Sequence, residues 1–577
     1  MSKLKYTADF ETTTNAADCR VWAWATFRIG SYGEFEYGTD ITGFMDYARA
    51  LAANDSRVDI YFHNLKFDGQ FILYWLFVNG FSWVENKKER GPCTFTTLIS
   101  DMGQFYAIDV WFPTRGKKLR QVRFLDSMKI LPMSIDDVAH AFALPIQKLK
   151  IDYNAERPVG HELTPEEIAY IRNDVEIAAQ ALAHMFALGL DRMTMAGNAV
   201  ASYRQIVGPA AFERWFPEPQ YDADVRQAYR GGFVYCAPQY QGREVGRGIV
   251  LDVNSLYPWA YATQPLPYGE PKFFEGRYQP DNLYTLYVQM FRCSFEIKPR
   301  HIPTIQLKGS LGFMPTEYVT SSHGEEVLLC LSSVDLQLFF DHYNVYNVEW
   351  FSGWKFKAST VLFTDYADKW FALKALATRE GNKPLRQIAK LMLNSIYGRF
   401  SINPITRSKI PYYDAETNTI AYSTSAEEHR KPLYIPVGVF VTAYARNKTI
   451  RAAQSVYDRF IYADTDSLHL LGTELPPELD IDDVELGAWA HESTFDRAKY
   501  LRAKTYIEEE GVVTRRGFQI SHKRKLRVTC AGMPAALHKY VTFDNFEGGA
   551  EYNGKLLPKA VPGGVVLSDT TFKIKRR

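Results

Sequence analysis

The sequence predicts a multidomain protein of mixed α/β and α+β class, and three observations carry that expectation. The chain has 577 residues, enough for roughly three to five ordinary domains. Its first part, residues 1–194, alternates strand-like runs with helix, the pattern of an α/β unit. Farther on, an apolar strand carrying Asp252 and a second carrying Asp464 are separated by turn-rich and helical stretches that interrupt what reads as one domain.

In chain order, residues 6–10, 58–62 and 122–125 read as strands, and residues 164–188 as a helix. Thr164 caps that helix, Pro165 opens its first turn and Glu167 completes a capping box. From residue 192 to residue 219 the pattern changes to helix and turn, a domain boundary. Residues 265–360 are turn-rich with strands of their own, and residues 403–436 form a short, polar, strand-like insertion. Between them, residues 365–400 read as two helices broken at Gly381-Asn382, with Asn382 as cap and Pro384 near the next start. The tail beyond Ala531 reads as a short helix among Gly- and Pro-marked turns.

Composition narrows the class. Hydrophobic content of 46% and charged content of 23% fit a soluble globular protein. No apolar run approaches the ~18 residues of a membrane span. Met1-Ser2-Lys3-Leu4-Lys5 leads into a strand, so the expectation is a cytoplasmic protein without a signal sequence. The six cysteines form no C-x-x-C pair, which fits a reducing compartment. The net charge of +1 conceals a gradient: residues 499–577 hold 16 Lys and Arg against 7 Asp and Glu, an excess suited to phosphate contacts. Aromatic content of 15% permits base stacking but serves a core equally well.

Two sets of carboxylates point to chemistry. In Tyr6-Thr7-Ala8-Asp9-Phe10-Glu11, strand alternation puts Thr7, Asp9 and Glu11 on one face. His63-Asn64-Leu65-Lys66-Phe67-Asp68 follows the next strand and places another acid at a strand end. The capped helix carries Tyr170 and Asp174 one turn apart on one face. Four acids beside a tyrosine fit a hydrolytic site for two metal ions.

The second set joins Asp252 to Asp464-Thr465-Asp466. In an extended strand Asp464 and Asp466 project the same way, and like charges so placed call for a hard divalent cation. An acidic surface turn is the competing reading of that triplet alone. After Pro384, Arg386, Lys390, Asn394 and Tyr397 fall at spacings that share one helix stripe. Two cations, an amide and a ring suit a nucleoside triphosphate, although a solvated basic face shows the same spacing.

These motifs, in order, resemble those of family B DNA polymerases. DFETTT at Asp9, HNLKFD at His63 and YIRND at Tyr170 resemble the family's three exonuclease motifs. DVNSLYP at Asp252, KLMLNSIYG at Lys390, YADTDS at Tyr462 and Lys504-Thr505-Tyr506 resemble its polymerisation motifs. Compact length, the two insertions, Tyr229-Arg230-Gly231-Gly232, CAGM at Cys530 and VPGGVVL at Val561 are similar to the protein-primed branch of the small Bacillus phage type.

The resemblance implies an RNase H-like 3′-5′ exonuclease domain followed by a right-hand polymerase with two insertions. The implied layout is exonuclease 1–194, palm 195–263 and 435–530, fingers 362–401 and thumb 531–577. Residues 264–361 and 402–434 would be the first and second terminal-protein-region insertions. Asp9, Glu11, Asp68 and Asp174 would hold the exonuclease metals, with Tyr170 orienting water. Lys148, in a Lys-x-x-Ile arrangement, would assist hydrolysis, with Lys150 as the alternative. Thr12, His63, Asn64, Phe67 and Ser127 would hold single-stranded primer, beside Met128 at the family's leucine position.

On the other side, Asp252 and Asp466 would be the principal metal ligands, supported by Asp464 and the Val253 carbonyl. Lys390 would hold incoming phosphates, helped by Lys374 or Arg386, with Asn394 on the same stripe. Tyr257 would exclude a 2′-hydroxyl and Tyr397 would stack near the new base pair. Tyr229, Gly231, Gly232, Lys504 and Tyr506 would contact DNA. The implied cofactors are two divalent ions per site, Mg²⁺ or Mn²⁺. The implied partners are template-primer DNA, dNTPs and a terminal protein, bound by a monomer or in a heterodimer with that protein. A family B enzyme using nucleic-acid primers, a nuclease with a DNA-binding second half, and a structural replication protein are the competing readings. The intact set of Asp252, Lys390, Asp464 and Asp466 argues against a mere binding module, which has no use for acids that repel phosphate.

Overall fold

Three neighbouring parallel strands set the geometry of the amino-terminal part. In the computed structural model, described for residues 4–576 apart from 32, 55–56, 114–118, 154, 308–316, 511–513, 516–517 and 520–524, Lys5–Thr12 pairs in parallel with Arg57–Phe62. That strand in turn pairs in parallel with Arg120–Asp126. The Met1–Lys3 start lies outside the described residues. Because the three strands run the same way, Glu11-Thr12, His63-Asn64 and Ser127-Met128 emerge at one edge, where open α/β sheets collect ligands. Five further strands complete an eight-stranded sheet.

Tyr6, Ala8 and Phe10 face one core, while Thr7 faces the helix Pro165–Ala187 and donates its hydroxyl to the Val175 carbonyl at 2.7 Å. That helix carries the expected reciprocal cap between Thr164 and Glu167, worth about 1 kcal/mol. Asp68 departs from its expected place at a strand end. It lies in the first turn of the helix Leu65–Val78, whose entry uses left-handed Asn64 (φ 84°).

A second eight-stranded sheet holds Gly248–Val253 between Ser467–Leu471 and Trp489–Arg502, antiparallel to both. A Cβ on Gly248 would stand 2.1 Å from Phe495 and 2.3 Å from the Leu470 carbonyl oxygen, so only glycine lets these strands approach. The Asp464-Thr465-Asp466 triplet corrects the expectation of a continuous strand. Phe460–Asp464 ends there, Thr465 turns with φ 66°, and Ser467–Leu471 returns beside it. The Asp466 N–H donates to the Asp464 carbonyl at 2.8 Å and the Thr465 N–H to the Phe233 carbonyl at 2.6 Å. The two acids therefore meet at a hairpin tip, where strand alternation does not apply.

Between these strands, Leu266–Glu275, Tyr343–Ser359, Leu286–Ile297 and Val327–Ser332 form a separate four-stranded sheet backed by the helix Ser333–His342. The helices Thr364–Arg379 and Lys383–Phe400 break at Gly381 (φ 67°), with the Asn382 side chain accepting from the Leu385 N–H as expected. Residues 402–434 carry short hairpins, including Lys409–Asp414 with Thr419–Thr424. The tail corrects the sequence reading. Its 3-10 turn Ala535–Tyr540 is followed by a long hairpin, Glu551–Val561 with Gly564–Lys573. No helix among the described residues is long and apolar enough to cross a membrane.

Gly248→Ala should destabilise the second sheet by about 1–3 kcal/mol, the range for forcing extra volume into a packed core. Calorimetry checks it: an unchanged unfolding transition would contradict the close approach of these strands.

Candidate active sites

The first site is a cavity of about 930 Å³ at the edge where the parallel strands end. Asp9, Glu11, Asp68 and Asp174 all line it, with Thr12, His63, Asn64, Phe67, Lys148 and Tyr170. Burial, and then the Asp174 charge, push the Asp9 carboxyl up to about 7. Burial and Asp9 hold Glu11 and Asp68 well above the ordinary carboxylate range. Asp174 is also raised by burial, while its ion pair with Lys148 opposes the rise. Lys148 is the lysine that reaches Asp174, whereas the Lys150 side chain is exposed.

Tyr170 donates or accepts a 2.8 Å hydrogen bond with Tyr153, and burial beside Glu11 holds its phenol strongly protonated. His63 contacts the Ser127 hydroxyl at 2.9 Å and the Met133 carbonyl at 2.7 Å. Ser127 itself is fully buried and donates to the Phe62 carbonyl, so it orients His63 and does not present a surface to a primer. Asn64 is exposed, Phe67 and Met128 are half-buried, and the Asn64 and Met128 N–H groups both donate to Asp126.

At the second site, the Val253 N–H donates to the Asp466 carbonyl at 2.8 Å, which ties the Asp252 strand to the hairpin tip. Burial, then Asp466 and Glu492, raise Asp252 to about 7, and Lys390 works against them. Asp466 is raised by burial and by Asp464. Asp464 differs: the Lys504 ammonium lies 2.8 Å from it.

Opposite stands the stripe read from the sequence. Arg386, Lys390 and Asn394 are exposed, while Ile388, Ala389, Met392, Leu393 and Ile396 on the other face are buried. Lys374 joins it from the preceding helix, its ammonium pKa lowered by burial and by the charges of Arg386 and Lys390. Tyr257 stacks on Tyr397 with centroids 4.1 Å apart, and Tyr229 lies close enough for its phenol to act on both. Gly232 is required where it stands, since a Cβ there would meet Thr465 Oγ1 at 2.7 Å. Gly231 is exposed, and Tyr506 packs on Tyr462 behind the hairpin tip.

The donor chemistry at both sites fits hard divalent cations. Asp174 Oδ1 is buried with no hydrogen-bond partner, and desolvated carboxylates press on one another with only partial compensation from Lys148 and Lys390. Among the described residues no three acidic, histidine or cysteine side chains are already drawn into one ligand shell, so an arriving ion would have to gather them.

Several contributors were not read from the sequence. Glu492 acts on both Asp252 and Asp466, with no local signal to announce it. Asn254, inside a motif that was read, staples the strand end by donating to the Asp482 and Glu485 carbonyls at 2.8 and 3.1 Å. Arg446, fully buried, pairs with Asp335 and donates to the Arg230 and Gly231 carbonyls, which anchors the Tyr229 loop. Leu556, Val565, Val566, Leu567 and Asp569 of the carboxy-terminal hairpin wall the first cavity.

A family model described as DNA polymerase type B, organellar and viral, matches residues 51–157 and 150–483. This chain belongs to the type B DNA polymerases. As a family B polymerase it is a DNA-directed nucleotidyltransferase. The polymerase is 46% identical over 585 aligned positions to the DNA polymerases of Bacillus phages Nf and phi29, covering all of both chains. It is 33% identical to that of Streptococcus phage Cp-1, over 99% of this chain and 98% of the other. The solved phi29 DNA polymerase in complex with primer-template DNA and incoming nucleotide substrates superposes with a TM-score of 0.92 at 45% identity, over 99% of this chain and 100% of that one. The phi29 binary complex with primer-template DNA gives 0.93.

A carboxyl raised on folding binds more protons in the folded state, so its stability contribution is lost as pH rises. For Asp9 the window runs from its ordinary 3.8 to about 7. Without divalent ions, thermal stability of the polymerase should fall across that window, and Asp9→Asn should flatten the fall. A wild-type profile in the variant would contradict the burial of Asp9 among like charges.

Proposed function

We propose that this polymerase couples templated DNA synthesis at the Asp252–Asp466 site to 3′-5′ proofreading at the Asp9–Asp174 site. Two separate carboxylate sites in one chain carry this reading: one faces a cationic helix stripe, the other is a walled cavity with one lysine. The first suits a triphosphate and the second suits a single strand end whose phosphodiester is to be cut.

At the synthetic site, Asp252, Asp466, the Val253 carbonyl and, in support, Asp464 would hold two divalent ions, Mg²⁺ or Mn²⁺. At the other, Asp9, Glu11, Asp68 and Asp174 would do so. Such ions would supply the same chemistry at both, activation of the attacking oxygen and stabilisation of the leaving one. Lys390, with Lys374 and Arg386, draws the triphosphate onto the exposed stripe. Tyr257, braced by Tyr397, occupies the space a 2′-hydroxyl would need, and Asn394 continues the stripe. Lys504 and Tyr506 hold the primer, and Tyr229 with Gly231-Gly232 lines the DNA path. In the cavity, Thr12, Asn64, Phe67 and His63 hold the frayed primer end, with Ser127 acting through His63 and Met128 packing beside it. Tyr170 orients the attacking water, and Lys148 steadies Asp174.

The finer reading is protein-primed, processive, strand-displacing replication of a linear phage genome in the host cytoplasm. The polymerase would act as a monomer or as a heterodimer with its terminal protein, whose side-chain hydroxyl replaces the first 3′-hydroxyl. Full-length likeness to phage polymerases supports it, as does the separate sheet of the first insertion, suited to a protein contact. The second insertion is assigned to strand separation. It packs on the helix that carries Asp68, with Tyr422 donating to Gln70 at 2.8 Å.

Asp466→Asn should abolish primer extension and leave 3′-5′ degradation measurable, and Asp9→Ala with Glu11→Ala should do the reverse. Loss of both activities in either folded variant would overturn the two-site reading. Deleting residues 406–431 should stall synthesis at duplex DNA while sparing short gap filling; unchanged displacement would refute the role of that insertion. With a terminal protein, divalent ion and labelled dATP, a covalent protein-nucleotide adduct is expected. Its absence alongside normal extension of DNA primers would favour the nucleic-acid-primed alternative.

A further inference from the structure

We propose that His469, Glu508 and Tyr500 form a positioning unit that fixes where Lys504 and Asp464 stand, an inference that rests on the Asp252–Asp466 site being the synthetic one. The three residues sit on different strands, Ser467–Leu471, Thr505–Glu510 and Trp489–Arg502, and all are buried. His469 Nδ1 donates to Glu508 Oε1 at 2.6 Å, and the Tyr500 hydroxyl donates to the same oxygen at 2.8 Å.

The strands of His469 and Glu508 are not neighbours. Gly248–Val253 and Trp489–Arg502 lie between them in the sheet order, so no backbone ladder joins them. For their side chains to meet, the sheet must curve, and this contact closes its concave face. One of the two strands follows Asp466 directly, and the other begins at Thr505, directly after Lys504. The hydrogen bond is thus a direct tie between the two arms of the site.

Tyr462 carries that tie to the reacting end. Its ring stacks on Tyr500 (5.3 Å, 27°), leans on Tyr506 (5.0 Å, 51°) and meets His469 edge-on (5.2 Å, 84°). Its hydroxyl accepts the Lys504 N–H at 2.8 Å and lies 3.5 Å from Asp464 Oδ2. Lys504 is held left-handed (φ 54°), and its ammonium pairs with Asp464.

Direction is what hydrogen bonds add to packing, and apolar contacts of the same shape would not supply it. Burial alone would raise the Glu508 carboxyl, yet the charge of His469 and the hydrogen bonds from His469 and Tyr500 hold it below its ordinary value.

The test compares His469→Phe with Glu508→Leu, which refills the space with apolar atoms, against Glu508→Gln, which keeps an acceptor for both donors. The double variant should melt like wild type but bind primer-template about tenfold more weakly, and Glu508→Gln should stay within about twofold. Degradation of a single-stranded oligonucleotide should be unchanged, and the KM for dNTP should move less than the primer affinity. Wild-type primer affinity in the folded double variant overturns the inference. If that variant fails to fold, wild-type affinity in Tyr500→Phe, expected to bind about threefold more weakly, overturns it instead. Asp466→Asn run alongside separates the cases: extension surviving there means that the synthetic site itself is misplaced.

Discussion

Both sites depend on one constraint: packed strands, a capped helix and a hairpin tip place carboxylates near one another in partly dry surroundings. Asp9 and Asp252 sit on unrelated sheets, yet each is pushed up to about 7 by the same causes, burial and a neighbouring acid. In the first sheet, parallel strands and a capped helix enforce the encounter. In the second, a hairpin tip does so, and Gly232 is the residue that leaves room for it. Clusters of this kind cost stability unless something neutralises them. A divalent cation would meet that need, held by Asp9, Glu11, Asp68 and Asp174 at one site and by Asp252 and Asp466 at the other.

Much of this was legible in the sequence because it obeys local rules. The capping box at Thr164, the break at Asn382 and the polar stripe from Arg386 to Tyr397 each follow from spacing alone. The triplet at Asp464 did not follow, because D-T-D contains no glycine or asparagine to announce a turn. Its left-handed Thr465 is imposed from outside, by the Phe233 carbonyl and the absent side chain of Gly232. The carboxy-terminal hairpin was missed for a related reason. Gly554 and Pro558 interrupt its alternation, and its apolar residues serve a distant partner. A Cβ on Gly564 would strike Phe71, and one on Gly563 the Cys19 carbonyl. Ser127 has the polarity of a surface residue, and only tertiary packing shows that it supports His63. Glu492 has no sequence signal, since its relevance lies wholly in which strand pairs with that of Asp252.

The same hairpin joins the two halves of the molecule. Residues near the end of the chain complete the wall of a cavity whose floor is laid by its first strand, and the second insertion packs on the helix that carries Asp68. The cavity that holds Asp9 is therefore walled in part by residues that follow the Asp252–Asp466 sheet in the chain.

The most direct test of the carboxylate constraint is anomalous diffraction from crystals soaked in Mn²⁺ with DNA bound. The account predicts metal peaks in two places, among Asp9, Glu11, Asp68 and Asp174, and between Asp252 and Asp466. Mn²⁺ bound elsewhere, with both carboxylate clusters empty, would contradict it.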